Sequence, residues 1–146
     1  EGVALTPQDL FTSTEVSSVD FWDAVGKVEH ERLDFKSRVP KGLSDTLAAM
    51  AMTTGGLVVI GVDDDRNIPG ARLEQAVYDG VMTAGHDVEV SLSTHELLVG
   101  GVPVVLIEVP AVSGRLVTTP NGRVLRRVGS STTPSEVTRW LDSYEQ

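Results

Sequence analysis

The stretch Thr53-Thr54-Gly55-Gly56-Leu57-Val58-Val59-Ile60-Gly61-Val62-Asp63-Asp64-Asp65 limits the folds open to this chain more than any other. Five of the six residues from Leu57 to Val62 are apolar, and so apolar a run reads as a strand buried on both faces. The paired glycines before it permit a tight turn or a close backbone approach that a side chain would block. Three adjacent carboxylates at its end repel each other, so they require a solvated turn or a cation. A buried strand that runs out into carboxylates predicts a core sheet with a site at the strand's carboxyl end.

The rest of the chain supplies partners for that strand. With 146 residues it has the size of one domain with one core. Thr6-Pro7 predicts a capped helix over 7–12, and Ser17 or Ser18 a second over 19–28. Leu33 and Phe35 alternate with Arg32, Asp34 and Lys36, which is strand periodicity. Leu47, Ala48, Met50 and Ala51 recur at helical spacing, as do Leu73, Ala76, Val77, Val81 and Met82. Residues 88–92 alternate and read as a strand paired with 97–99; Gly100-Gly101 is a hairpin turn, and 102–109 a core strand. Pro120-Asn121-Gly122 joins 116–119 to 123–128, and Thr133-Pro134 with Glu136 caps a last helix through Tyr144. The pattern predicts an α+β fold, a mixed sheet flanked by helices. Residues 1–28 form a helical extension, 29–133 the domain proper and 134–146 a C-terminal helix.

Charge and composition narrow the function. The net charge of −9 excludes a protein that coats nucleic acid with its whole surface. The charge is unevenly spread. Residues 1–23 carry no Lys or Arg, whereas Arg115, Arg123, Arg126 and Arg127 lie in a segment without acids. Residues 27–41 mix five basic side chains with three acidic ones. Such patches are a solvated surface or a basic face for phosphates on an acidic body. The chain has no cysteine, which removes disulfides and thiolate metal sites and fits a cytoplasmic protein. No apolar run approaches the roughly 20 residues of a membrane span. The acidic start at Glu1 lacks the basic-then-apolar pattern of a signal peptide. The chain reads as a domain cut from a longer protein.

Two constellations carry chemistry. Asp34 and Lys36 share one strand face, Glu29 precedes them, and Asp63 and Asp64 end the next strand. Acids on neighbouring strands can hold a hard divalent cation, and a lysine beside them can orient water or stabilise an oxyanion. The same pattern also suits an exposed, ion-paired strand. The second constellation is Arg123 to Ser131, where Arg123 and Arg127 share a face opposite Arg126. Guanidinium groups fork onto phosphates, although a solvated hairpin has the same composition. Thr53-Thr54-Gly55-Gly56 precedes a strand and no Gly-Lys-Ser/Thr follows, so it is not a nucleotide-binding loop of Walker type. His30, His86 and His95 have no metal-ligand spacing, and Trp22 and Trp140 sit at apolar helical positions.

Taken in order, these pieces resemble a known family. Glu29-x4-Asp34-Phe35-Lys36 is followed by Leu47-Ala48-Ala49-Met50-Ala51, then Thr53-x-Gly55-Gly56-x3-Ile60-Gly61-Val62-Asp63-Asp64. Ile68-x-Gly70 comes next, and Arg127-Val128-Gly129-Ser130-Ser131-Thr132 lies far downstream. The order is similar to the Schlafen AlbA-like domain, once labelled a divergent AAA domain. The resemblance implies an α+β, Schlafen AlbA-like fold and a nucleic-acid-binding module, DNA or RNA, at the N-terminus of a longer bacterial transcriptional regulator. It also implies two alternatives: a divalent-metal-dependent endoribonuclease, or a catalytically silent dimerisation or interaction domain. By motif position Glu29, Asp34 and either Asp63 or Asp64 are the three acids, with Lys36 beside the second. Glu29, Asp34 and Asp63 are the expected ligands of Mg²⁺ or Mn²⁺. Arg115, Arg123, Arg126 and Arg127 are the expected nucleic-acid contacts, and a lone domain is expected to pair as a homodimer, away from membranes. Met52 stands where the family usually has Asn, and Asp34 where Glu is commoner.

Overall fold

The structure, a computed structural model, describes residues 5–135. The elements run α1 (Pro7–Leu10), β1 (Glu15–Val16), α2 (Ser18–Val25), β2 (Leu33–Lys36), α3 (Leu43–Thr53), β3 (Gly56–Ile60) and α4 (Gln75–Asp87). They continue with β4 (Ser93–Val99), β5 (Val102–Val109), β6 (Leu125–Val128) and β7 (Ser131–Pro134). Five strands form one sheet in the order β1-β4-β5-β3-β2, and β6 with β7 form a separate ribbon. β2 runs parallel to β3 and β1 to β4, while β3–β5 and β4–β5 are antiparallel. The sheet is therefore mixed and the fold α+β, as the pattern predicts.

The apolar run of β3 is buried because helices cover both faces. Val58 and Ile60 join Val105 and Ile107 under α3 and α4. Leu57 and Val59 join Leu106, Leu33 and Phe35 under α1 and α2. The stretch before residue 29 supplies both helices of that second face, and Thr6 and Ser17 cap them with their side chains. The double glycine is a demand of packing. A Cβ on Gly55 would sit 2.6 Å from the Val109 carbonyl, and one on Gly56 would sit 2.4 Å from the Arg32 carbonyl. Helix α3 is apolar almost all round because the sheet lies on one side of it and the β6–β7 ribbon on another.

Three expectations need correction. Residues 88–92 are not a strand: the chain is still leaving α4, with the Val90 N–H bonded to the Gly85 carbonyl. Their alternation reflects Val88 and Val90 plugging the core beneath that helix. The strand expected at 97–99 begins at Ser93 and pairs with β5 across the Gly100-Gly101 hairpin instead of with 88–92. The Asn121-Gly122 turn does form, since the Gly122 N–H reaches the Thr119 carbonyl, but β6 takes its ladder from β7. Thr133-Pro134 consequently lies in β7. The helix expected beyond it falls outside the described residues. No helix among the described residues is long and apolar enough to cross a membrane.

Candidate functional site

β2 is a sheet edge, and an edge strand leaves outward N–H and C=O groups without a ladder. The chain just before it supplies the missing partners. His30 and Leu33 exchange backbone hydrogen bonds, each 3.1 Å, and the Glu29 carboxylate accepts the Phe35 N–H at 2.8 Å. Glu29 is thus held beside β2 by the backbone. Arg66 closes the arrangement. It donates from Nε to the Lys27 carbonyl, lies 4.7 Å from the Phe35 ring centroid and approaches Glu29 at 4.0 Å.

Strand alternation turns Leu33 and Phe35 to one helix layer and Asp34 to the other, where the ribbon covers it. Asp34 is 3% exposed and Arg127, from β6, is 4% exposed. Their charged groups stand 3.7 Å apart, and Lys36 Nζ lies 3.2 Å from the other Asp34 oxygen. Arg127 also donates to the His30 carbonyl at 3.0 Å and to the Leu33 carbonyl at 3.4 Å. Its backbone N–H donates to Thr53 Oγ1 at 2.9 Å, and Thr53 in turn donates to Ala49. One guanidinium thereby ties the ribbon to the edge of the sheet.

This cluster splits the proton affinities of two acids. Burial and a hydrogen bond shared with Glu29 push the Asp34 carboxyl from 3.8 up to about 6, against the opposing charge of Lys36. Burial alone would raise Glu29 as well. The Asp34 and Phe35 hydrogen bonds and the Arg66 and Lys36 charges outweigh it and hold Glu29 below its ordinary range. Asp34 Oδ2 is buried and faces Lys36 Nζ at 3.2 Å, and Arg127 Nε is buried without a hydrogen bond.

Beside the cluster opens a cleft of about 540 Å³ near the carboxyl ends of β2 and β3. Glu29, Lys36, Arg38, Lys41 and Asp64 line it, with Phe35 and Pro40. Among the described residues neither Arg38 nor Lys41 forms an ion pair. Both were absent from the sequence-derived site, although they belong to the basic-rich stretch 27–41. Glu29, Lys36 and Asp64 come together at the cleft, with Asp34 just behind them. Asp63 is occupied elsewhere: its Oδ1 accepts the N–H groups of Asp65 at 3.0 Å and Asn67 at 2.8 Å. Among the described residues no three His, Asp or Glu side chains converge as a cation site. The set Glu29, Asp34 and Asp63 is thus not gathered, and these residues as placed do not fit a shared Mg²⁺ or Mn²⁺.

The arginines also part company. Arg123 and Arg126 are exposed, as phosphate contacts must be. Arg127 is the correction, because its buried guanidinium faces Asp34 and carbonyls and cannot reach a phosphate in solvent. Arg115 is exposed and donates to the Glu89 carbonyl.

The family model described as Schlafen, AlbA_2 matches residues 29–136. The chain belongs to the Schlafen AlbA_2 family. Two solved structures share the fold. The DIP2311 protein from Corynebacterium diphtheriae aligns with a TM-score of 0.60 at 23% identity, over 79% of this chain and 28% of that one. The N-terminal domain of a RecG-related protein from Nitrosomonas europaea aligns with a TM-score of 0.51 at 20% identity, over 78% of this chain and 88% of that one. A search of curated proteins returns no match. The AlbA_2 chain thus spans 28% of the length of the first of these neighbours. Within this family member Met52, at the usual Asn position, accepts the Val117 N–H on its sulfur at 3.2 Å. It packs against the α3–α4 core rather than facing the cleft.

Proposed function

We propose that this AlbA_2 domain binds nucleic acid through the cleft at the carboxyl ends of β2 and β3, as the N-terminal module of a larger transcriptional regulator. One observation carries the reading: three cationic side chains, Lys36, Arg38 and Lys41, line a single cleft on a chain whose net charge is −9. A local basic surface on an acidic body directs phosphates to one place and repels them elsewhere. Arg123, just before the ribbon, and Arg126, in β6, add exposed cations. The RecG-related neighbour, a protein whose name places it with DNA helicases, is consistent with a nucleic-acid partner. The test is fluorescence anisotropy with labelled duplex DNA and structured RNA over a salt series. A double Arg38→Ala, Lys41→Ala protein is expected to bind at least about tenfold more weakly, with a log–log salt slope smaller by about 2. Unchanged affinity in that variant overturns the assignment of the cleft.

A second reading, cleavage of RNA, rests on the Glu29–Asp34 pair. One carboxyl pushed up to about 6 beside another held low is the arrangement that general acid–base chemistry uses. Lys36, 3.2 Å from Asp34, is placed to stabilise an anion at the cleft. Cleavage of structured RNA, assayed with Mn²⁺, with Mg²⁺ and with chelator, is expected to vanish in Asp34→Asn. Equal cleavage by that variant removes the reading. Pairing of two copies, which would place two clefts on one assembly, belongs to both readings and is measured by sedimentation equilibrium.

A further inference from the structure

A second cavity, of about 640 Å³, opens at the other end of the sheet, between α1 and α2 and the amino ends of β2 and β3. Its size is that of a small-molecule site. The floor is a row of three residues in register on adjacent strands: Leu33 on β2, Leu57 on β3 and Glu108 on β5. Phe11 and Val25 supply apolar walls.

Glu108 is the odd member of that row. On β5 the alternation Val104, Leu106, Glu108 runs along the face that α1 and α2 cover, and the first two are fully buried and apolar. A third apolar residue would extend the core. Instead a half-buried carboxylate stands on the floor of a largely apolar cavity, where a charge is costly unless it is partnered. Gln8 Nε2 donates to one of its oxygens at 2.8 Å. Among the described residues no hydrogen bond or ion pair engages the other oxygen. A carboxylate that lines a cavity, with one oxygen held by an amide and the other without a hydrogen bond among the described residues, can receive a donor carried on an apolar body.

We propose that this cavity binds a small amphipathic amine, its ammonium group on Glu108 and its apolar body against Phe11, Val25 and Leu57. The site is separate from the basic cleft. Strand β3 runs from Gly56 at this cavity to Ile60 near the cleft, about 13 Å at roughly 3.3 Å per residue. The amine bridges β5 and α1, so it fastens the helices that precede residue 29 onto the sheet. His30 and Arg32 also line the cavity, and they make the competing ligand an organic anion.

Three probes with one ring system separate these chemistries: tryptamine, indole and indole-3-acetate. Each is titrated into the ¹⁵N-labelled 146-residue chain and followed by amide chemical shifts. Tryptamine is expected to give saturable shifts centred on Gln8, Phe11, Leu57 and Glu108, and to bind at least about tenfold more tightly than either other probe. Glu108→Gln is expected to reduce tryptamine binding to the level of indole. Absence of saturable shifts, shifts centred outside this cavity, or a preference for indole-3-acetate overturns the proposal. So does a well-folded Glu108→Gln chain that keeps the tryptamine affinity. The probe ranking is read on the unmodified chain, so the test stands even where the variant fails to fold.

Discussion

Asp34 lies in β2, and Asp63-Asp64-Asp65 follow β3, its parallel neighbour, yet the two acidic regions are satisfied in opposite ways. Asp34 is buried and adds to its near neighbours Lys36 and Glu29 a partner from far along the chain, Arg127 of the ribbon. Asp63 is satisfied within four residues, by the N–H groups of its own turn. A buried charge needs long-range partners because water cannot solvate it, whereas a turn carboxylate needs only its neighbours. The contrast separates the acids that can act on a ligand from those that cannot. Asp34 tunes the site from behind, Glu29 and Asp64 line the cleft, and Asp63 shapes the loop.

The largest break in this comparison comes from removing the buried cation. Arg127→Ala leaves Asp34 without its buried partner and takes one of two hydrogen bonds from each of the His30 and Leu33 carbonyls. Loss of one member of a buried ion pair costs about 3–5 kcal/mol. Arg126→Ala, one residue away but exposed, is expected to stay within about 0.5 kcal/mol of the parent. Urea denaturation of both variants measures the contrast. Equal stabilities would mean that Arg127 does not anchor the ribbon.

A smaller effect comes through pH. Asp34 titrates at about 6 in the folded chain and 3.8 when unfolded, so the folded state holds the extra proton between those values. Its contribution to stability therefore falls as pH rises from 3.8 to 6 and is level above that. Glu29 acts in the reverse sense, losing stability as pH drops below 4.5. Between about 4.5 and 6 the Asp34 carboxyl governs, with Lys36, Arg127 and Glu29 as the charges facing it. The expected decline is on the order of 1–2 kcal/mol over that window. Asp34→Asn is expected to remove this slope, because Asn does not titrate. A variant that keeps the parent's slope between pH 4.5 and 6 assigns the titration to another group.

Local rules made much of this legible. The run from Leu57 to Ile60 announced a strand with helices on both faces, and Thr6-Pro7 and Ser17 announced two capped helices. The pair Asp34 and Lys36 could be placed on one strand face, and the basic stretch 27–41 already held Arg38 and Lys41. What failed was non-local. Alternation at 88–92 has the same signature whether the apolar residues pair in a sheet or plug the end of a helix. Asn121-Gly122 marks a turn but does not say which strand β6 will pair with. Parity separates Arg126 from Arg127, yet only the packing of the ribbon on α3 decides which of the two is inside. Nothing along the chain could show that Glu108 would face Gln8 across a cavity, a hundred residues away in sequence.

The finest test separates the adjacent acids Asp63 and Asp64, between which the motif makes no choice. Asp63→Ala removes two hydrogen bonds to backbone N–H groups in an exposed turn, a loss of about 1–2 kcal/mol. Asp64→Ala removes a carboxylate that lines the cleft and bonds to nothing through its side chain among the described residues, so stability is expected to change by under about 0.5 kcal/mol. Binding should move the other way round. Asp64 lies in the cleft with Lys36, Arg38 and Lys41, so its removal relieves repulsion of a phosphate and is expected to tighten nucleic-acid binding severalfold at low salt. Asp63→Ala should leave affinity nearly unchanged. Paired denaturation and anisotropy measurements on the two variants give four values. If stability and binding move together in both proteins, the division of labour between shaping the loop and lining the cleft is wrong.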